Sequence, residues 1–134
     1  MSKYIESETE IQNQEALIKA LDEMGYKREI LRFGKNMHLE GYRGDKRSQT
    51  ADIIIPRKHV RAAANDIGFK RQPNGTFKVI VSEFDRSCDG TFVERVSDLS
   101  AVHNVMMTAE SEGWTCIRSK NKQGETVLEM ERWT

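Results

Sequence analysis

A tight turn, Pro73-Asn74-Gly75, is the feature that most constrains how this chain can fold. The Asn-Gly pair suits a hairpin, because both residue types accept the positive backbone angles that short hairpin turns need. After the turn the side chains alternate, with Phe77, Val79 and Val81 on one side of the chain and Lys78, Ile80 and Ser82 on the other. The flanking stretches Asp66–Arg71 and Thr76–Val81 are therefore predicted to be antiparallel strands joined by this turn.

Two segments have the spacing of amphipathic helices. The first is predicted over Gln14–Met24, with Asn13 as its N-cap and Gly25 as its left-handed C-cap. The second is a long helix over Phe92–Glu112, with apolar residues at near-heptad spacing and Gly113 at its end. Both helices are expected to bury one face against the sheet.

The remaining segments predict further strands and several loops. Strands are expected at Tyr4–Ile11 (an edge strand), Ile30–Phe33, Met37–Tyr42 and Ala51–Ile55, and a closing hairpin at Trp114–Ile117 and Thr126–Met130, with Trp133 last. Loops are expected at Gly34–Asn36, Asp45–Thr50 and Phe84–Gly90, whereas Arg57–Asn65 suits either helical turns or an extended connection. Many hairpin turns favour a single α+β domain over residues 1–134, with a mostly antiparallel sheet and two main helices packed on one face.

Composition excludes several classes of protein. The 134 residues carry 21 basic and 21 acidic side chains, which excludes a broadly basic coat for nucleic acid. The N-terminus has no apolar leader, and no stretch approaches the length of a membrane span. Cys88 and Cys116 form no CxxC motif, which favours reduced thiols in a cytoplasmic protein that has no membrane partner.

His103 is the best single candidate for acid–base chemistry, and Asp98 or Asp89 could orient it. It lies in the apolar register of the second helix, however, where a histidine usually makes a buried hydrogen bond. Glu83, Asp85 and Asp89 could instead hold a divalent cation, but without the rest of a calcium loop they are typical of a solvated turn. A small enzyme that uses His103 or this acidic loop is thus the least favoured hypothesis, and no catalytic, metal or cofactor site is predicted.

Positive charge is concentrated in the middle of the chain. Residues 42–71 contain eight basic and three acidic side chains, a net charge of +5, whereas residues 1–41 and 72–134 carry −2 and −3. The candidate binding residues in this basic part are Tyr42, Arg43, Lys46, Arg47, Arg57, Lys58 and Arg61. Such a surface can bind phosphates, with an aromatic ring for stacking, or an acidic protein, or it can simply be solvated.

Several short motifs occur together along the chain. They are Gly41-Tyr42-Arg43-Gly44, Ala51–Ile55, Asp66-Ile67-Gly68-Phe69, Val102-His103-Asn104-Val105, Ala109, Gly113-Trp114 and the ending Glu131-Arg132-Trp133. In this combination the chain resembles a family of small proteins with a domain of unknown function, encoded in cyanobacterial and plastid genomes, with relatives in other bacteria and in phages. The resemblance implies a shared fold and, as a candidate partner, a ring-forming ATPase of the AAA type. It departs at residues 57–65, which are predicted to be an insertion.

The leading hypothesis is a non-catalytic binding or adaptor module that acts through protein–protein contacts with an acidic partner surface. Its support is the polarised charge, together with a sequence in which no catalytic constellation can be assembled. The alternative is a nucleic-acid-binding domain that uses the basic 43–71 region on phosphates.

Overall fold

The structure is a computed structural model that describes residues 3–132. Its strands are β1 (Tyr4–Glu8), β2 (Arg32–Glu40), β3 (Lys46–Ile55), β4 (Ile67–Arg71), β5 (Phe77–Ser82), β6 (Trp114–Lys120) and β7 (Thr126–Arg132). Its helices are α1 (Gln14–Glu23), a 3-10 turn (Arg28–Ile30), α2 (Arg57–Val60), α3 (Glu83–Cys88) and α4 (Phe92–Ser111). Five strands form an antiparallel sheet in the order β1-β5-β4-β3-β2, and β6 pairs with β7 in a separate hairpin. The predicted α+β fold with a mostly antiparallel sheet is confirmed.

The β4–β5 hairpin forms where the sequence predicts it. Gly75 has a φ of +90°, and the Gln72 N–H donates to the Thr76 carbonyl at 2.7 Å, which closes the turn. Gly68 stands opposite Ile80 in the ladder. The predicted alternation is also confirmed, because Phe77, Val79 and Val81 lie in one core and Ile80 lies in another on the opposite face.

Helix α1 is capped at both ends as its sequence predicts. The Asn13 side-chain oxygen accepts the Ala16 N–H at 3.2 Å. At the other end Gly25 has a φ of +100°, and the Tyr26 N–H reaches back to the Leu21 carbonyl at 2.8 Å. This bond satisfies a carbonyl that the helix end would otherwise leave without a donor.

The main core lies between the sheet and the two long helices, α1 and α4. Its buried members include Leu17 and Leu21 from α1, Phe69 and Val79 from the sheet, and Val96 from α4. The prediction of two main helices on one face is therefore confirmed. Truncation of a fully buried aromatic side chain such as that of Phe69 typically costs about 3–5 kcal/mol, so this layer stabilises the fold strongly.

The opposite face of the sheet carries a second, smaller core of Tyr4, Leu39, Ala51, Ile54 and Ile80. The sheet itself bends over this core. The Tyr4 hydroxyl of β1 donates to the Glu40 carbonyl of β2 at 3.3 Å, although these strands are the two opposite edges of the sheet. Close packing here needs Gly68 in β4, because a Cβ at that position would lie 2.8 Å from the Ala51 Cβ.

Two segments that the sequence predicts to be loops belong to strands instead, because β2 and β3 continue through their polar residues. Gly34–Asn36 does not stop the strand: β2 runs through it, with a shift in register and a φ of 51° at Asn36. Residues 45–50 are not a loop, since β3 begins at Lys46, opposite Glu40. Both segments lie in a solvent-exposed part of the β2–β3 hairpin, where apolar alternation is not required.

The third predicted loop, Phe84–Gly90, is also wrong, because α3 occupies Glu83–Cys88. The Ser82 hydroxyl oxygen accepts the Asp85 N–H at 3.1 Å and caps this short helix. The sequence of Arg57–Asn65 suits either helical turns or an extended connection, and the structure contains both kinds of backbone. A helical turn forms at α2, and irregular backbone follows, in which Ala63 has a φ of 61°.

Helix α4 ends at Ser111, and Gly113, whose φ is +88°, leads into the β6–β7 hairpin as predicted. The hairpin contacts α4 through β6, but none of its described side chains is fully buried. Ile117 is 52% exposed and Met130 is 44% exposed. The predicted closing residue, Trp133, lies outside the described residues. Within residues 3–132, no helix has the length and apolar character needed to cross a membrane.

Candidate functional site

Seven predicted binding residues lie near one end of the sheet, where the β2–β3 turn meets α2. They are Tyr42, Arg43, Lys46, Arg47, Arg57, Lys58 and Arg61, called here the basic end. Arg57 Nη1 donates to the Tyr42 carbonyl at 3.1 Å, which ties α2 to the turn. The Arg43 guanidinium carbon lies 5.2 Å from the centroid of the Tyr42 ring, within the range of a cation–π contact.

Asp66 is a buried residue that connects the end of β2 to the start of α2. Its side chain is part of a residue that is 1% exposed, and its two carboxylate oxygens accept the backbone N–H groups of Glu40 and Arg57, each at 2.8 Å. The Asp66 carbonyl also accepts the Tyr4 hydroxyl at 2.8 Å. Burial raises the pKa of Asp66 above its ordinary value, and the two backbone N–H groups oppose that shift.

A second buried cluster links the turn to α3. The Asn65 side-chain oxygen accepts the Tyr42 N–H at 3.0 Å, and its Nδ2 donates to the Ser82 hydroxyl at 2.9 Å. The Asp85 carboxylate, in a residue that is 2% exposed, accepts the Asn65 N–H at 3.0 Å and pairs with Arg61. Asn65, Asp66, Ser82 and Asp85 are called the polar network below. It fixes the backbone from which the basic side chains project.

The guanidinium groups of the basic end are already engaged within the chain. Arg61 pairs with Asp85, and the Arg47 guanidinium carbon lies 5.0 Å from the centroid of the Tyr4 ring. Burial raises the pKa of Tyr4, as does the neighbouring Asp66 carboxylate, so its hydroxyl stays protonated and acts as a donor. The exposed cations of this end are Arg43, Lys46 and Lys58.

A cleft of about 510 Å³ lies beside the basic end, between α2 and the start of β2. Its lining contains basic and acidic residues together: Arg32, Arg57, Lys58 and His59 are basic, and Glu29, Glu40 and Asp66 are acidic. Because the two signs are mixed, the walls do not present the uniformly positive field that a free phosphate group would favour.

The alternative catalytic candidates occupy different places. His103 Nε2 lies 3.0 Å from Glu23 Oε1, so neither Asp98 nor Asp89 orients it. Glu23 also receives both guanidinium donors of Arg118, at 2.6 and 2.8 Å. His103 therefore belongs to a hydrogen-bonded cluster around Glu23 that connects α1, α4 and β6.

The predicted acidic loop is divided by the fold. Asp85 points into the polar network, Glu83 is exposed, and Asp89 pairs with Arg95 at 3.1 Å. In the described part of the chain, no group of three His, Cys, Asp or Glu residues is arranged to hold a metal ion.

The Glu23 cluster should make stability depend on pH in acid. The hydrogen bonds from Arg118 and then His103 lower the pKa of Glu23 from 4.5 to about 2. Because the folded value is the lower one, the stabilisation is complete above pH 4.5 and is lost as the pH falls towards 2. We expect Glu23→Gln to lower the free energy of unfolding at pH 7 by about 1 kcal/mol, since the pair is partly solvated.

Urea unfolding between pH 2 and 7 checks this expectation, with Glu129→Gln at an exposed position of β7 as the control. The wild-type chain and the control should lose this increment together in acid, while Glu23→Gln should lack it. Equal pH profiles for all three proteins would contradict the assignment.

The sequence does not predict the polar network as a unit. Asn65 and Asp66 are nevertheless a polar pair directly before the buried strand β4, which is a signal of side chains that satisfy buried backbone groups. Their partners lie far away in sequence, with Tyr4 62 residues from Asp66 and Asp85 20 residues from Asn65. No pattern of adjacent residues predicts contacts between residues so far apart in sequence.

Together these features define a small α+β domain with a basic end that is built on buried polar side chains. Over residues 20–128 the chain matches the family described as protein of unknown function DUF1257, and it belongs to that family. The predicted membership of a domain-of-unknown-function family is confirmed at this level. No curated protein and no solved structure matches the chain.

Proposed function

We propose that this chain is a non-catalytic binding module that docks its basic end onto an acidic surface of a protein partner. One observation supports the proposal: Arg57 donates to the Tyr42 carbonyl, and Arg61 is linked to the same turn through Asp85 and Asn65. The polar network fixes the backbone at Tyr42 and Arg57, so little backbone conformational entropy is lost on binding. A cytoplasmic setting, with Cys88 and Cys116 as free thiols, belongs to the same proposal.

The engagement of the guanidinium groups favours a protein partner over nucleic acid. Binding to a nucleic acid backbone depends on many cations that each neutralise a phosphate. Here all four arginines of the basic end already contact partners within the chain: Arg43, Arg47, Arg57 and Arg61. The acidic side chains of Glu40 and Asp45 lie at the same end and would repel phosphates. A protein surface can present single carboxylates to single cations and can tolerate such interruptions.

Charge reversal at the three exposed cations tests the proposal. The variant carries Arg43→Glu, Lys46→Glu and Lys58→Glu, and the control carries Lys19→Glu, Lys27→Glu and Lys120→Glu, which change the net charge equally at exposed sites elsewhere. The tagged proteins are used to capture partners from cell extract at physiological salt, with and without nuclease. We expect the basic-end variant to recover its partner at least about tenfold less well than wild type or control, a loss of about 1.4 kcal/mol.

Equal recovery by all three proteins, or recovery of no specific protein, would overturn the proposal. Recovery that disappears with nuclease would favour the nucleic-acid alternative instead. A ring-forming AAA-type ATPase, which the sequence resemblance implies as a candidate, is to be sought among the captured proteins.

A further inference from the structure

The last strand, β7, has an open edge. It pairs with β6 alone, and no other described element packs extensively against it. The turn of the hairpin shows which backbone groups point outward, because the Asn121 N–H donates to the Glu125 carbonyl at 3.0 Å. Hydrogen-bonded and non-bonded pairs alternate in an antiparallel ladder, so every second residue from Val127 bonds to β6. Leu128 and Met130 therefore turn their N–H and C=O groups away from β6.

This edge is accessible to a further strand. The outward backbone groups of Leu128 and Met130 have no backbone partner among residues 3–132. Met130 is 44% exposed, and its neighbours Glu129 and Glu131 are exposed as well. The strand is 7 residues long and contains no proline. Open edges of this kind pair with an extended segment through main-chain hydrogen bonds, and a third strand stabilises a two-stranded hairpin.

The two faces of the hairpin differ in chemistry. Arg118, which stands opposite Leu128, bonds Glu23 of α1, so the face with Leu128 and Met130 is turned towards the helices. The outer face consists of alternate residues of both strands: Thr115, Ile117, Ser119, Val127, Glu129 and Glu131. Its only charges are the two glutamates, and neither forms an ion pair with a described residue.

The charge of the outer face defines the strand that fits beside it. Glu129 and Glu131 are two residues apart in a strand, so their Cα atoms are separated by about 7 Å. Alternate residues of an added strand have the same spacing. Lysine or arginine at those positions stands directly opposite the two carboxylates, and opposite charges at facing positions stabilise a strand pair.

A second copy of β7 does not fit this edge. In antiparallel two-fold pairings centred on Leu128, Glu129 or Met130, a glutamate of one copy lies directly opposite a glutamate of the other. Like charges at facing positions destabilise a strand pair, and charged residues commonly protect open edges from self-association. The edge thus disfavours its own sequence and accepts a strand of opposite charge.

We propose that β7 binds an extended segment of a second protein partner, which adds as an antiparallel third strand. The segment carries lysine or arginine opposite Glu129 and Glu131, and apolar residues opposite Leu128 and Met130. The apolar residues of the segment exchange main-chain bonds with β7, because they face the outward groups of Leu128 and Met130. This site is separate from the basic end and goes beyond the function proposed above.

The test is a titration of the isotope-labelled full chain, followed by backbone amide shifts and amide hydrogen exchange in solution NMR. The probe is a blocked Gly-Val-Lys-Val-Lys-Val-Gly peptide. Three control peptides carry glutamate in place of lysine, N-methyl groups on the valines, or N-methyl groups on the lysines. The variant carries Glu129→Gln and Glu131→Gln, and the matched control carries Glu10→Gln and Glu110→Gln at exposed sites elsewhere.

We expect the largest shifts in β7, with slower exchange of the Leu128 and Met130 amides when the probe is bound. Methylation of the valines should lower affinity at least about tenfold, because their N–H groups point at β7, whereas methylation of the lysines should leave it within about twofold. The glutamate peptide should not bind measurably. The Glu129→Gln and Glu131→Gln variant should bind the probe about fivefold less tightly, and the matched control should bind it as wild type does.

Four results would overturn the proposal. The first is equal binding of the lysine and glutamate peptides, and the second is a loss of affinity on methylation of the lysines instead of the valines. The third is binding of the probe with shifts confined to other parts of the chain. The fourth is slower exchange of the Leu128 and Met130 amides at high protein concentration without peptide, which would assign the edge to a second copy. None of these results bears on capture through the basic end.

Discussion

Asp66→Ala is expected to lower the free energy of unfolding by about 2–4 kcal/mol, because two partly buried backbone N–H groups lose the acceptor that the buried carboxylate supplies. These groups belong to Glu40 and Arg57, and the Asp66 carboxylate bonds both at 2.8 Å. Asp66→Asn should also destabilise, since an amide offers one acceptor oxygen where the two donors need two. Urea unfolding of the purified variants measures both effects.

Asp52 provides a matched control for Asp66. Its carboxylate also accepts two backbone N–H groups, those of Asn36 at 3.0 Å and Arg71 at 2.9 Å, but on the solvent-exposed side of the hairpin. Water can replace the lost acceptor there, so Asp52→Ala should cost only about 0.5–1.5 kcal/mol. Equal losses at Asp66 and Asp52 would show that burial does not set the strength of this contact.

The second large effect is expected at Asp85. Its buried carboxylate accepts the Ser82 hydroxyl at 2.7 Å and the Asn65 N–H at 3.0 Å, and it pairs with Arg61. Asp85→Ala leaves the buried Asn65 N–H and Ser82 hydroxyl without this acceptor and removes the partner of Arg61, whose side chain is 31% exposed. It should lower the free energy of unfolding by about 2–5 kcal/mol. Because Asn65 also holds the Tyr42 N–H, the same change should loosen the basic end.

Glu15→Ala is the control for Asp85→Ala. Glu15 makes two bonds to Arg28, at 3.0 and 3.2 Å, but both side chains lie on the surface. An exposed pair of this kind contributes little to stability, because water screens both charges. A loss at Asp85 no larger than that at Glu15 would contradict the structural role given to the polar network.

Local chemistry explains what could be predicted of the fold. The turn at Asn74-Gly75 and the caps of α1 at Asn13 and Gly25 each depend on a few adjacent residues, so their sequence is sufficient. The loops predicted within β2 and β3 are wrong because those segments do not depend on adjacent residues for their structure. Those strand segments are exposed and polar, and pairing with each other, not an apolar pattern, defines them.

The candidate site was predictable in composition but not in arrangement. The charge count indicates residues 42–71 as the basic part of the chain, and the Tyr4–Glu40 contact shows how the sheet bends at that end. Which cations are engaged depends on contacts distant in sequence, such as Arg61 with Asp85 and Arg47 with Tyr4. The contact of His103 is not predictable from local sequence for the same reason, because its partner Glu23 lies 80 residues away.

The central claim is that the basic end is the surface that contacts the protein partner. Amide hydrogen exchange, measured on the chain alone and in complex with the captured partner, tests it most directly. The account predicts slower exchange in residues 41–61 of the complex, with the exposed β6–β7 hairpin unchanged. Protection confined to that hairpin, with residues 41–61 exchanging as in the free chain, would contradict it.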